Sequence, residues 1–423
     1  MPAQARIPFL YTFFFNLMKW NASAHSANET SEYLFRHLIP YIGNKRKLLG
    51  LIERAIEASN ITPETHRFVD LFSGTGVVGR FARHLGYGVL ANDWEPYSEI
   101  LNRCYLEISK PPLFFGKRSY DDVLNELNAL PDREDWVTKH LCPRHDEAFD
   151  ITKDRLFYMR KNGRRIDAIR YKIAGWEKEG KLSSHQQAAL LAPLLYQCCY
   201  NANTSGVFKG FHNGWGGKTE TALYRIKGEL KLRPALFLDN GKESQVIRSD
   251  AQELAPNIKA KSFVYLDPPY NQHPYGSNYH VLNSVTLWDK PELSQQISGH
   301  GDKAAIRTDW RTERRSAYNY AAKAAAAYKK LLKSLKAEWI ATSYSTDGMI
   351  PLRCLIEANL EVGDVQIFTQ PYKRYRVSTQ RYSQKPMNIE FIVLTKTGSQ
   401  ATQTVDSLTA KIREHEKSIL EEF

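Results

Sequence analysis

The stretch Phe263-Val264-Tyr265-Leu266-Asp267-Pro268-Pro269-Tyr270 decides the fold. Four apolar or aromatic residues, entered after Lys261-Ser262 and stopped by two prolines, predict a short buried parallel strand that ends in a rigid turn. In open α/β sheets, chemistry sits just beyond such strand ends. The turn fixes there the Asp267 carboxylate, the Pro268 carbonyl and the Tyr270 ring: two acceptors beside a stacking face. That set suits a flat ring carrying an exocyclic amine. The N–H bonds of the amine would point at Asp267 and the Pro268 oxygen, leaving its lone pair free to attack while Tyr270 stacks on the ring. Alone, the tetrapeptide fits an ordinary strand-to-loop turn about as well.

The flanking sequence supplies the context. Tyr41-Ile42-Gly43-Asn44-Lys45-Arg46-Lys47-Leu48-Leu49 opens an amphipathic helix that should run to about Ala58. A basic helix start is electrostatically odd, because the positive end of the macrodipole favours anions. Its lysines therefore face either a carboxylate ligand or plain solvent. Residues 66–73 (HRFVDLFS) read as a strand feeding Gly74-Thr75-Gly76-Val77-Val78-Gly79 and a helix to about His84. Asp70 ends that strand, and Phe72 lies in the turn. The glycines permit a tight turn and close approach of a ligand to the helix N-terminus, a pattern that a dinucleotide would also use. Val89 to Asp93 forms a second strand. Asp93 follows Gly76 by 17 residues, where a carboxylate can accept the ribose hydroxyls of an adenosyl group. Gln245 to Asp250 forms a third strand and brings Asp250 to the same edge.

Asp-Pro-Pro-Tyr after an apolar run resembles the catalytic motif of amino-methyltransferases that use S-adenosylmethionine. The following Tyr275-Gly276-Ser277-Asn278-Tyr279-His280 resembles the Dam-like, D12 class of adenine-specific DNA methyltransferases. The order of the motifs is similar to the alpha-ordered group of that class across about residues 38–395. The resemblance implies an α/β, Rossmann-like methyltransferase fold with a mixed, mostly parallel sheet and an inserted, mainly helical and loop target-recognition domain. It implies S-adenosylmethionine as cofactor and double-stranded DNA as partner, with transfer to N6 of a flipped adenine. The expected biological setting is a restriction-modification system, in which a cognate nuclease acts on the same site. Asp267, Pro268 and Tyr270 become the catalytic set. Tyr41, Lys45, Asp70, Phe72, Gly74, Gly76, Asp93 and Asp250 become the cofactor set, and no metal is needed. N4-cytosine enzymes more often carry Ser at the first motif position, so Asp267 favours adenine. The alternatives are an RNA N6-adenine or DNA N4-cytosine enzyme, or an inactive DNA-binding protein of this fold.

The chain's 423 residues, 42% of them hydrophobic, suffice for one large domain with an insertion or for two domains. Lys and Arg number 58 against 46 Asp and Glu, and the resulting +12 suggests an acidic macromolecular partner. Five scattered cysteines argue against a disulfide framework and for a reducing, cytoplasmic setting. Cys142 and His145 lack a second pair at metal-site spacing. The apolar run of 12 residues from Ile7 to Met18 is too short to span a membrane, and Lys19-Trp20 breaks a signal-peptide pattern. Residues 1–30 are expected to be an extension, with Met18 as an alternative start. The βα rhythm fails from about Lys110 to Gly241, which argues for an inserted domain at 110–241 within a catalytic domain of 31–109 and 242–398. A charged helix closes the chain at 399–423. The insertion is basic and aromatic around Arg155, Tyr158, Arg160, Lys161, Arg164, Arg165, Arg170 and Tyr171, suiting either phosphate contacts or a solvated face. Asn271 to Asp289 reads as a polar lid over the base, and Tyr372 to Arg376 equally as a nucleic-acid backbone contact or an exposed loop.

Overall fold

The computed structural model describes residues 32–294, 297, 303–305, 307, 315–373 and 387–421. The expected extension at 1–30 lies outside them, as do Arg374, Tyr375 and Arg376. Seven strands form one sheet in the order β3-β2-β1-β4-β5-β7-β6. They are β1 (Arg67–Asp70), β2 (Val89–Asp93), β3 (Gln245–Arg248), β4 (Ser262–Leu266), β5 (Trp339–Ser345), β6 (Gly363–Lys373) and β7 (Met387–Thr397). β1 to β5 run parallel, and β7 runs antiparallel to both β5 and β6. The chain winds outward from β1 through β2 to β3, then returns to the other side of β1 with β4. The sheet's switch point therefore lies between β1 and β4, where α/β folds leave a crevice beyond the strands' carboxyl ends.

All five residues of β4 are buried, which explains why its sequence reads as a continuous run instead of an alternation. Its side chains still divide by face. Phe263 and Tyr265 join a core with Phe68, Ile392 and Leu394 under helices α1 (Leu49–Ser59) and α2 (Val77–His84). Val264 and Leu266 join the opposite core with Ile340, Phe391 and Val393. That second layer is covered by α8 (Ala321–Ser334), α9 (Leu352–Leu360) and α10 (Val405–Glu421). Between these groups the chain forms α3 (Pro96–Asn102), α4 (Tyr120–Asn128), α5 (Arg160–Lys178), α6 (Ser184–Tyr200) and α7 (His280–Leu287).

Among the described residues, 110–241 contribute helices and loops but no strand of the sheet. Their core is continuous with α3 and α7: Leu124, Ile166 and Leu191 pack with Tyr97, Leu101, Val281 and Val285. Two sequence expectations change here. Residues 276–286 are buried, so that part of the segment read as a polar lid is instead core, while 271–275 and 287–289 keep some exposure. Its apolar residues Tyr279, Val281, Leu282 and Val285 face the insertion. Part of the basic stretch is also structural. Tyr158 is buried, Arg165 donates to the Leu127 and Asn128 carbonyls, and Arg170 donates to the Val285 carbonyl at 2.8 Å. β6 and α9 were not foreseen. No helix among the described residues is long and apolar enough to cross a membrane.

The closing helix α10 completes the second core with Leu408, Ile412 and Ile419. Ile412 is fully buried. Ile412→Ala is expected to cost about 2–5 kcal/mol of stability through a cavity under α10. Denaturant unfolding measures this, and a loss below about 0.5 kcal/mol, typical of a surface position, would show that the helix does not carry that core.

Candidate active site

Asp267 leaves the end of β4 at the switch point, and a lysine from the N-terminal segment meets it there. Lys45 begins a short 3₁₀ turn, Lys45–Leu48, whose start is capped by Asn44 accepting the Arg46 N–H at 2.8 Å. Lys45 Nζ lies 3.0 Å from Asp267 Oδ1 and 3.7 Å from Glu390 Oε2, and it sits 5.3 Å from the centre of the Tyr270 ring. All three charges are largely withdrawn from water: Lys45 is 3% exposed and Glu390 5%. Burial alone would push the lysine down. Asp267 and Glu390 outweigh it and hold Lys45 well above its usual range. Burial raises both carboxyls, against the pull of Lys45.

The segment carrying Lys45 is held by aromatic contacts. Tyr41 is stacked on Tyr279 at 4.7 Å and on Tyr275 at 5.1 Å, and its hydroxyl shares a 2.9 Å hydrogen bond with that of Tyr97. The Ile42 N–H donates to the Tyr279 hydroxyl at 2.9 Å. Gly43 takes φ +79°, and a Cβ there would meet the hydroxyls of Tyr270 and Tyr275 at 3.3 Å.

A cavity of about 350 Å³ opens along the carboxyl ends of the strands. Of the residues expected from sequence, Tyr41, Phe72, Gly74, Asp93, Asp250 and Asp267 line it. Lys45, Asp70, Gly76, Pro268 and Tyr270 do not form its lining. Asp93 accepts the Gly74 N–H at 2.8 Å and the Glu95 N–H at 2.9 Å, one through each carboxylate oxygen. Each oxygen retains further acceptor capacity. Gly76 is constrained from two sides: its φ is +78°, and a Cβ would lie 2.6 Å from Asn102 Oδ1. Asn102 in turn donates to the Gly74 carbonyl at 3.2 Å. Asp250 accepts the Gln252 N–H at 2.7 Å, capping the short helix Ala251–Leu254. Tyr270 is fixed edge-on against Tyr344, with ring centres 5.9 Å apart.

The profile of one protein family, the D12 class of N6 adenine-specific DNA methyltransferases, matches residues 41–343. The chain belongs to that class. Type II methyltransferase M.NlaIII of Neisseria lactamica is 32% identical over 339 residues, 79% of this chain and 92% of that protein. Type II methyltransferase M.FokI of Planomicrobium okeanokoites is 28% identical over the same length but is covered only to 49%. Type II methyltransferase M.CviAII of Paramecium bursaria Chlorella virus 1 is 27% identical over 343 residues, with 93% of it covered.

In this methyltransferase, sequence reasoning passed over several residues of the site. Trp94 and Tyr318 line the cavity, and Tyr318 meets Phe72 edge-on at 5.6 Å. Glu390 is the third charge of the buried group. It stood out only as a carboxylate inside the apolar run from Ile389 to Leu394.

Asp70 has a different character from its neighbours. It is 1% exposed, and neither oxygen has a hydrogen-bond partner of good geometry. Burial, then the charges of Asp267 and Asp93, raise it well above the usual carboxylate range. A carboxyl raised on folding contributes stability that is present below its unfolded value, about 3.9, and is lost as pH climbs toward its folded value. Asp70→Asn removes that loss. The stability of the variant relative to the parent is expected to grow with pH from about 4 upward, by at most about 1.4 kcal/mol per pH unit. Urea unfolding at a series of pH values tests this, and a pH-independent difference would contradict it.

Proposed function

We propose that this methyltransferase uses S-adenosylmethionine and acts on an adenine flipped out of duplex DNA, with Asp267, the Pro268 carbonyl and Tyr270 at the reacting amine. The observation that carries the reading is the placement of Asp267. Its carboxylate stands on the cavity wall at the switch point, with Oδ1 buried against Lys45. The cavity suits the proposed methyl donor in its chemistry. Phe72, Tyr318 and Tyr41 offer ring faces and edges, Asp93 offers carboxylate acceptors, and Gly74 brings backbone to the cavity wall. Tyr41, Phe72, Gly74, Asp93 and Asp250 would hold this group, with Asp70 and Gly76 shaping the turn behind them. S-adenosylmethionine, when bound, supplies a methyl carbon already activated by its sulfonium.

The protein's own contribution is orientation and charge. Asp267 and the Pro268 carbonyl accept the two N6 hydrogens, which turns the nitrogen lone pair out of conjugation with the ring. As N6 gains positive charge, the Asp267 carboxylate stabilises it and takes the departing proton. Tyr270, its ring fixed by Tyr344 and Lys45, provides the stacking face. Positioning and preorganised charge of this kind can supply much of the acceleration. The base must leave the helix because its amine cannot be reached within the stack.

The insertion at 110–241 is assigned to DNA target recognition. Its exposed lysines, including Lys139, Lys218, Lys227 and Lys231, and its exposed Tyr171 and Tyr224 supply phosphate contacts and aromatic surface. The relatives' names include Type II methyltransferase and modification methylase. They support the reading of a cytoplasmic modification enzyme whose partner is a restriction nuclease acting on the same sequence.

Asp267→Ala should lower methyl transfer by at least about 100-fold, the size seen on losing one preorganised electrostatic group. Binding of S-adenosylmethionine and DNA should persist. Tritiated methyl transfer into unmethylated genomic DNA, followed by nucleoside analysis, gives the rate and the product together. Undiminished turnover in the variant would remove Asp267 from the chemistry.

A further inference from the structure

Glu390 lies near the start of β7, a strand whose neighbouring residues 389–394 are otherwise apolar and buried. In the sheet it stands opposite Ser345 of β5 and Gln370 of β6. Burying a carboxylate there is costly unless a counter-charge accompanies it. The counter-charge is Lys45, 3.7 Å away, which already meets Asp267 at 3.0 Å. Glu390 does not line the cavity, so its influence passes through Lys45.

We propose that Glu390 is a positioning residue for methyl transfer: by sharing the Lys45 ammonium, it fixes Lys45 on Asp267 Oδ1 and keeps net negative charge at the acceptor. The proposal rests on the reading of Asp267 as acceptor of the N6 hydrogens. An ammonium has three N–H donors and can serve both carboxylates. With Glu390 ionised, the three side chains together carry one negative charge, which faces the positive charge developing on N6. Without it, Lys45 and Asp267 form a neutral pair, and Asp267 becomes a weaker acceptor. The same change makes Asp267 easier to ionise, because a neighbouring negative charge has gone.

The titratable groups around this arrangement are known. Lys45 approaches from the 3₁₀ turn, Tyr265 and Asp267 from β4, and Tyr270 from the turn that follows. Tyr372 of β6, Asp347 beyond β5 and Asp70 of β1 complete the set. Those seven are unchanged in Glu390→Gln, which matches the side chain's shape and removes only its charge.

The full-length enzyme is assayed with S-adenosylmethionine and duplex DNA across pH, as wild type, Glu390→Gln, Glu390→Asp and Asp267→Ala. Glu390→Gln is expected to lower kcat about 10- to 100-fold, the size found on losing the outer partner that orients a metal-binding side chain, with KM for the methyl donor unchanged. The acid limb of kcat should move to lower pH. Glu390→Asp keeps the charge and should keep the limb in place, which holds the test open if Glu390→Gln folds poorly. Wild-type kcat in Glu390→Gln, or a limb displaced equally in both variants, overturns the proposal. Activity retained by Asp267→Ala overturns the acceptor reading and this proposal with it. An inactive Asp267→Ala beside a fully active Glu390→Gln overturns this proposal alone.

Discussion

A lysine ammonium buried between two carboxylates is the constraint on which the rest of the site depends. Lys45, Asp267 and Glu390 come from a short turn near residue 45, from the end of β4 and from near the start of β7. Any one of these charges left alone in the interior would cost several kcal/mol. Together they are tolerable, and only while each holds its place. The ion group therefore ties the N-terminal segment to the sheet where the crevice opens. Tyr41, four residues before Lys45, is fixed by the same anchoring, and its stacking on Tyr275 and Tyr279 brings the segment against the residues that follow the Asp267–Tyr270 turn.

Parallel topology brings the acids together, and local environment then separates their roles. β1, β2, β3 and β4 all point their carboxyl ends to one edge, so residues at or just past those ends, Asp70, Asp93, Asp250 and Asp267, converge there. Asp93 is satisfied by two backbone amides and still faces the cavity. Asp250 is partly spent on a helix cap. Asp70 has neither amide of good geometry nor cation, and burial drives it toward the neutral form. Asp267 has the ammonium. Carboxylates of one kind, close along one edge, thus differ in availability because their partners differ.

Legibility in the sequence followed the range of the interactions. β1, β2 and β4 are short buried runs, each ending in or followed by an acid, and the turn residues that stop them are local signals. The glycine turn was equally plain, since a positive φ and a close neighbour leave Gly76 no substitute. β6 was missed because Asp364, Gln366 and Gln370 make it polar at intervals, and only pairing with β7 completes it. From sequence, Lys45 faces either a carboxylate ligand or plain solvent. The carboxylates it meets belong to the protein, from positions more than two hundred residues away in the chain. The basic stretch of α5 misled for a related reason: composition does not reveal that Arg165 and Arg170 turn inward to backbone carbonyls. Glu390 did leave a trace, as a charge where a buried strand has no use for one.

The continuous core between the insertion and α7 makes the two parts of the enzyme mechanically dependent. The Phe208 N–H donates to the Asn278 carbonyl at 2.8 Å, and His280 Nε2 lies 2.9 Å from the Phe208 carbonyl. Burial lowers His280 to about 4, so near neutral pH the ring is uncharged, and Nε2 must carry its proton to donate to that carbonyl. On the other side, Asn283 donates to Glu95 at 2.7 Å and accepts the Tyr97 N–H at 3.3 Å, reaching the segment after β2. The helix that follows the Asp267 turn is thus clamped between the insertion and the strand end bearing Asp93. A displacement of the insertion that left α7 in place would break buried hydrogen bonds, each costly to leave unmade. On the proposed reading, the insertion and the edge of the cavity that carries Asp93 are parts of one packing arrangement.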